Sequence, residues 1–395
     1  MKKSLQDLIL YCIILYGVCS AVSITLAEIF FILGIALWII DIIKNKKNIK
    51  EQFNSSISLP LLIFLIIHIL CAFFGIDKKS NIIHLKKIYI FLIFFLVANY
   101  LKSEDDIRKV INGYIAGVAF VGIYAIITTI KYRYIDGNIN FRAVSFSGNH
   151  MHAGGFFMMG LITSAAMLFY TIKEKIKNYK LLIIYLITSV IIASALVFTF
   201  TRGSWLGAII GIFLLSFIFD RKYLLGVVML FILVGFLLKD TAIAKRFISS
   251  FKPGEKTSAS ERLYMWSSGI NIIKDYPLGI GTDSLIKIYP KYKHKNAVEE
   301  NQGHLHNNLL QIAVIDGIPG LIAFLWIFLS LWITLYRTIM SKAGFIRNVL
   351  IISFVISVSF FINGFFEYNF MSSQVALMFW FLTGMGEACI KNRLC

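Results

Sequence analysis

The chain has 395 residues, of which 58% are hydrophobic and only 15% charged, and its mean hydropathy is +0.77. A soluble protein carries roughly 25% charged residues, so this composition excludes a soluble globule and requires a polytopic membrane protein. The formal net charge of +18 would suit a nucleic-acid binder. The lysines and arginines fall between apolar runs, however, which is the pattern of a membrane-orientation signal, and no nucleic-acid partner is expected.

A bilayer core needs about 20 apolar residues per helix. Twelve stretches qualify, near residues 5–22, 26–43, 57–75, 86–101, 107–130, 149–172, 180–200, 203–219, 223–238, 318–337, 346–366 and 373–390. The expected fold is therefore all-α, with nine transmembrane helices in 1–238, a large outside loop in 239–317 and three helices in 318–395. The N-terminal apolar run has no small-residue cleavage site before a soluble domain and reads as the first span. Placing both termini in the cytoplasm puts twenty of the 39 lysines and arginines inside, eight in short outside loops and eleven in the long loop. Orientation is set by the short loops, so both termini are expected in the cytoplasm. The 76–87 connection, with Lys78, Lys79, Lys86 and Lys87, is discordant. Of the five cysteines, Cys12, Cys19 and Cys71 fall in spans and Cys389 and Cys395 at the cytoplasmic end. No disulfide framework or CxxC metal site is expected.

The first outside loop of interest is INFRAVSFSGNHMHAGG, where Arg142 precedes Asn149, His150 and His152. Arg142 is either a solvated loop charge or part of a site. Next comes FTFTRGSWLG, where Arg202 sits between two apolar runs. A charge at mid-membrane costs about 2.5–3.5 kcal/mol, so the chain is expected to reverse there at the outer interface, with Arg202 anchoring the turn or binding a ligand.

In the long loop, SASERLYMWSSGINIIKDYPLGIGTDSL reads as an amphipathic helix with Ser260 as its cap and Leu263, Trp266, Ile270 and Ile273 along one face. Pro277 and two glycines end it. Arg262 follows the cap, where the helix dipole disfavours a cation; it either pairs with Glu261 or serves a site. Leu305 to Asp316 is about twelve residues, too short to span, with Gly317 as its C-terminal stop before Pro319. This short re-entrant or interfacial helix carries His304 and His306 at its N terminus, where they either cap it or meet an anionic ligand.

Arg142, Arg202, Arg262, His304 and His306 thus fall on one side of the membrane. Guanidinium groups grip phosphate oxygens with two prongs and keep their charge, which suits a diphosphate. A neutral histidine can take a proton near pH 7, which suits activation of a hydroxyl. The outside carboxylates Asp136, Asp275, Asp283, Glu299 and Glu300 form no DxD or DxE pair, and HExxH, Walker A and GxSxG sequences are absent. No metal or cofactor is expected.

The blocks TRGSWLG, SERLYMW with DYPLGIGTDS, and HLHNNLLQIAVIDGIPGL, in that order across Thr201 to Leu321, resemble the O-antigen ligase family. That group also holds O-antigen polymerases and protein O-oligosaccharyltransferases. In the 142–155 loop this chain has Asn149 and His150 where relatives often carry Asn-Pro. The resemblance implies a GT-C-like, multi-pass protein of the bacterial inner membrane with its active site on the periplasmic face. It implies glycan transfer from undecaprenyl diphosphate to a hydroxyl of lipid A-core, independent of metal, with membrane lipid as surroundings. Arg202, Arg262 and Arg142 would bind the diphosphate, His306 would orient or deprotonate the acceptor, and His304 would support it. A polymerase would use the same donor. A transporter would be expected to repeat its halves and place charges near the midplane, and neither pattern is visible.

Overall fold

The structure, a computed structural model, describes residues 4–146, 148–238, 241, 258–371 and 373–392. The start of the large loop (239–257, except 241) and the terminal Lys2, Lys3, Arg393 and Cys395 counted above lie outside the described residues.

In a bilayer, backbone N–H and C=O groups must find partners within the chain, which turns apolar runs into helices. Among the described residues every regular element is a helix. Apart from a single turn at Ile49–Gln52, the first nine are α1 (Leu5–Cys19), α2 (Ile24–Lys44), α3 (Ser58–Phe74), α4 (Lys78–Tyr100), α5 (Glu104–Ile135), α6 (His150–Lys173), α7 (Tyr179–Phe198), α8 (Arg202–Phe219) and α9 (Arg221–Leu238). The long segment contributes α10 (Ser258–Asp275), α11 (Leu285–Tyr292) and α12 (Asn308–Ile315), and α13 (Gly317–Ser341), α14 (Gly344–Asn363) and α15 (Ser373–Lys391) follow. A helix therefore stands at each of the twelve apolar stretches. Eight (α2, α4 to α8, α13 and α14) are long and apolar enough to cross a membrane, and α1 and α3 are shorter apolar helices.

The discordant 76–87 connection is mostly not a loop. It forms the first half of α4, whose N-cap is Asp77 and whose middle, Leu85–Phe91, tightens into a 3-10 helix. The charge pattern missed this because four lysines interrupt the apolar run. At the opposite end of the bundle Lys102 donates to Gln6 Oε1 at 3.1 Å and Asn392 Nδ2 to the Leu101 carbonyl at 2.9 Å, so both ends of the described chain meet there.

The interior is built on α6 and α14, which bury 78% and 72% of their apolar windows, whereas α2 and α7 bury 28% and 22%. Helices in lipid associate by close packing of small residues. Gly203, Gly207 and Gly211 of α8 form such a seam: a Cβ at each would come within 2.8 Å of Phe366 Cβ, 2.9 Å of the Ser359 carbonyl and 2.6 Å of Ser359 Oγ, respectively. The glycines of TRGSWLG thereby bring Arg202 beside the end of α14.

α10 departs from its sequence reading in two ways. It begins at Ser258, so Ser260 lies inside the first turn and is buried. The face that packs holds Met265, Ser268, Gly269 and Ile272, while Leu263 and Ile270 are exposed. The small pair Ser268 and Gly269 lets Leu305 approach so closely that a Cβ at 269 would sit 2.6 Å from Leu305 Cδ1. Apolar side chains thus point both toward the bundle and away from it, which a single-stripe reading misassigns.

The YPLGIG segment is clamped by its backbone. Ile280 and Gly281 N–H groups donate to the Val314 and Ile315 carbonyls at 3.0 and 2.9 Å, and Ile318 N–H to the Pro277 carbonyl at 2.9 Å. Gly279, Gly281 and Gly317 adopt φ of +94°, +92° and +70°, which suit glycine best. Below this corner, the Asp316 carboxylate accepts from His68 Nδ1 at 2.9 and 3.0 Å, both side chains fully buried, tying α3 to the α12–α13 junction.

Removing one partner of a buried polar pair strands the other, at a typical cost of about 3–5 kcal/mol. Asp316→Ala is therefore expected to lower the thermal unfolding midpoint of the purified protein by several degrees or more. An unchanged midpoint would show that the α3–α13 corner does not depend on this pair.

Candidate functional site

The site forms at the end of the bundle where α7 ends, α8 begins and the long segment returns. The reversal between α7 and α8 is a tight turn with Phe200 at φ +51°, after which Arg202 is the first residue of α8. Its Nη2 donates to Ser258 Oγ at 3.1 Å, linking the starts of α8 and α10. One turn into α10, Arg262 Nη2 donates to Glu367 Oε1 at 3.0 Å. The other oxygen, Glu367 Oε2, lies 3.4 Å from His306 Nδ1. This carboxylate is nine-tenths buried and holds a guanidinium on one side and an imidazole on the other.

His306 does not cap the short helix. Asn307 does, its Oδ1 accepting from Leu310 N–H at 3.1 Å. His306 is held at φ +48°, a left-handed conformation that costs a residue with a Cβ on the order of 1 kcal/mol. The next residue explains how it is held: Asn308 Oδ1 accepts from the N–H groups of Asn369 and Phe370 at 3.0 and 3.2 Å, and its Nδ2 donates to Asn369 Oδ1 at 2.8 Å. Asn307 Nδ2 adds a bond to the Phe365 carbonyl at 3.2 Å. Two consecutive asparagines thus clip the His306 turn to the α14–α15 connection that carries Glu367.

His304 packs edge-to-face on His306 with ring centroids 4.2 Å apart, and Tyr368 lies behind it at 6.2 Å. Burial, then the neighbouring His306, push His304 down to about 4; Arg262 and His152 act in the same direction and Glu367 opposes them. Arg142 Nη1 contacts His150 Nε2 at 2.9 Å, and since guanidinium only donates, that nitrogen accepts. Burial and the charge of Arg262 lower Arg142, and Arg202 feels both Arg262 and Arg142. The three guanidiniums therefore stand close enough to repel one another, a cost that an anion among them would relieve.

The structure gathers all five sequence candidates, Arg142, Arg202, Arg262, His304 and His306, into one region. Arg262 pairs with Glu367 and not with Glu261, which instead accepts from Val298 N–H at 3.2 Å. Asn149 caps α6 through the Met151 N–H at 2.8 Å, and His152 Nδ1 contacts Gln374 Oε1 at 3.1 Å. Glu367 escaped the sequence reading, although a signal existed: it is the only acidic residue between positions 317 and 386. Among the described residues no three His, Cys, Asp or Glu side chains are grouped to hold a metal ion.

The low folded value of His304 has a consequence for stability. Between its ordinary value of 6.5 and about 4, the unfolded chain binds a proton that the folded chain refuses. This contribution is complete above 6.5 and is lost as pH falls toward 4. Wild type is expected to lose more thermal stability than His304→Gln between about pH 7.5 and about pH 5. Equal losses would mean that His304 is protonated in the folded protein as readily as in the unfolded one.

Residues 187–325 match the family model described as O-antigen ligase. The match contains Arg202, Arg262, His304 and His306 and leaves Arg142 and Glu367 outside. None of the curated proteins compared matches the chain. The chain is thus a multi-pass membrane protein in which residues 187–325, the stretch that carries Arg202, Arg262, His304 and His306, are similar to the O-antigen ligase family.

Proposed function

We propose that the protein is an O-antigen ligase that transfers a glycan from undecaprenyl diphosphate to a hydroxyl of lipid A-core at the periplasmic face of the inner membrane, without a metal. The observation that carries this reading is the Glu367 carboxylate shared between Arg262 and His306, with Arg142 and Arg202 close by. The charge distribution of the short loops supports the periplasmic side for this end of the bundle.

In this mechanism His306 Nδ1–H donates to Glu367, which leaves Nε2 to take the proton of the acceptor hydroxyl, the logic of an oriented base. The hydroxyl oxygen forms the new bond to the anomeric carbon as the bond to the diphosphate oxygen breaks. The electron pair leaves with undecaprenyl diphosphate, whose charge Arg202, Arg262 and Arg142 neutralise in a poorly solvated cleft. Loss of one such contact typically costs about 2.7–4 kcal/mol in the barrier.

The direct test is transfer by the purified protein from lipid-linked glycan to lipid A-core in the presence of EDTA, paired with a glycan gel of a deletion strain. Transfer should survive the chelator, and the deletion should leave free core and accumulate lipid-linked polymer. Core bearing a single repeat would make the protein a polymerase instead. Activity lost to EDTA and restored by magnesium or manganese would overturn metal independence.

Variants separate the roles. Arg202→Lys and Arg262→Lys keep the charge but lose the two-pronged grip, and each is expected to lower transfer about a hundredfold. Asparagine tolerates the left-handed backbone at 306, so His306→Asn should fold and retain donor binding while losing transfer. Glu367→Gln should lower kcat more than it raises the donor KM. Near-normal transfer by a folded His306→Asn protein would return His306 to a structural role.

A further inference from the structure

A cleft of about 70 Å³ lies beside the arginine cluster, lined by Asn149, His152, His304, Asn363, Glu367 and Asn369 among others. Among the described residues no lysine or arginine lines it. Three of its lining residues carry a buried polar atom with no hydrogen-bond partner: His304 Nδ1, Asn363 Oδ1 and Asn369 Nδ2. Asn363 is 1% exposed and Asn369 5%. Such groups are rare in folded proteins, and each costs about 1–3 kcal/mol when left unmatched.

The amide orientation at Asn369 follows from its neighbours. Asn308 Oδ1 is occupied by two backbone N–H donors, so Asn308 Nδ2 donates and Asn369 must present its oxygen to it. Its NH2 group is then the unmatched donor, while Asn363 Oδ1 is an unmatched acceptor. His304, whose folded value is about 4, is neutral near pH 7 and offers one ring donor and one ring acceptor. A phosphate brings only acceptors and negative charge, and it would face Glu367. A sugar hydroxyl both donates and accepts and is neutral. Asn363 Oδ1 also lies 2.9 Å from where a Cβ of Gly203 would stand, so the cleft adjoins the residue next to Arg202.

We propose that this cleft is the acceptor subsite, in which Asn363 and Asn369 hydrogen-bond the hydroxyl-bearing edge of the acceptor sugar beside His306. The inference rests on the transfer reaction of the preceding subsection and divides the two substrates by chemistry: the diphosphate at the guanidiniums, the neutral hydroxyls at the amides. The volume admits at least the hydroxylated edge of a sugar.

The test is initial-rate kinetics of the purified full chain with lipid-linked glycan and lipid A-core, comparing wild type with Asn363→Leu. Leucine keeps the branched four-atom shape of the side chain, adds some bulk and cannot hydrogen-bond. The acceptor KM is expected to rise at least about tenfold, equivalent to roughly 1.4 kcal/mol, while the donor KM stays within about twofold and the thermal midpoint does not fall. An unchanged acceptor KM would mean that the cleft holds only water, and a donor KM raised as much as the acceptor's would equally overturn the assignment. Should leucine prevent folding, Asn363→Ala decides by the same criteria, since it cannot overfill the cleft. Wild-type protein that transfers nothing between these substrates would instead bring down the reaction on which the subsite rests, an outcome distinct from an active wild type with an indifferent variant.

Discussion

The site depends on the clip that Asn307 and Asn308 make with the α14–α15 connection. These two side chains close hydrogen bonds with the stretch from Phe365 to Phe370. His306 stands one residue before the clip and Glu367 inside it, so a single polar junction sets the distance between imidazole and carboxylate. It also supports the left-handed backbone at His306, whose cost is roughly 1 kcal/mol. The junction is nearly solvent-free, since Asn307, Asn308 and Asn369 are each less than a tenth exposed. Amide bonds gain strength in such surroundings and are expensive to leave unmade.

Around this junction the molecule sets unlike environments side by side. Arg142 and Arg262 repel each other, and Glu367 offsets that repulsion only in part. A short distance away the histidine ring of His304 is kept neutral and the amides of Asn363 and Asn369 are uncharged. Adjacent cationic and neutral-polar zones are what a reaction needs when one substrate leaves as an anion and the other arrives as an alcohol. The clamp of Ile280 and Gly281 on α12, and the His68–Asp316 pair beneath it, fix the short helix that supports both zones.

The helices were legible in the sequence because a bilayer demands long apolar runs and forbids other solutions. The arginines and histidines were legible because a charged or imidazole side chain beside an apolar run stands out. Other features were hidden for physical reasons. Lys78 to Lys87 looked like a loop because helix α4 enters with a basic first half that then tightens into a 3-10 stretch at Leu85–Phe91. Leu263 and Ile270 were misassigned because α10 presents apolar side chains on two faces and uses Ser268 and Gly269 for its closest packing. Capping was one of two roles open to the histidines, and the adjacent Asn307 performs it, since sequence spacing alone does not distinguish neighbouring cap candidates. Glu367 was the costliest omission: its partners, Arg262 and His306, lie 105 and 61 residues away, and a long-range ion pair leaves no local pattern.

The glycine seam of α8 makes that helix a lever. Gly211 lies eight residues below Gly203, about 12 Å along the axis at a helical rise of 1.5 Å per residue. A single methyl group at Gly211 would come within 2.6 Å of Ser359 Oγ and 2.8 Å of Ile162 Cδ1, so that either those side chains or α8 itself must shift. Because the helix is stiff, the displacement would be delivered at its far end, where Arg202 stands. Substitutions deep in the helix bundle, remote from the arginine cluster, would then behave in an activity screen like lesions of Arg202 itself. A map of loss-of-function alleles in this protein would trace a buried stripe along α8 and α14 as well as the polar pocket at their end.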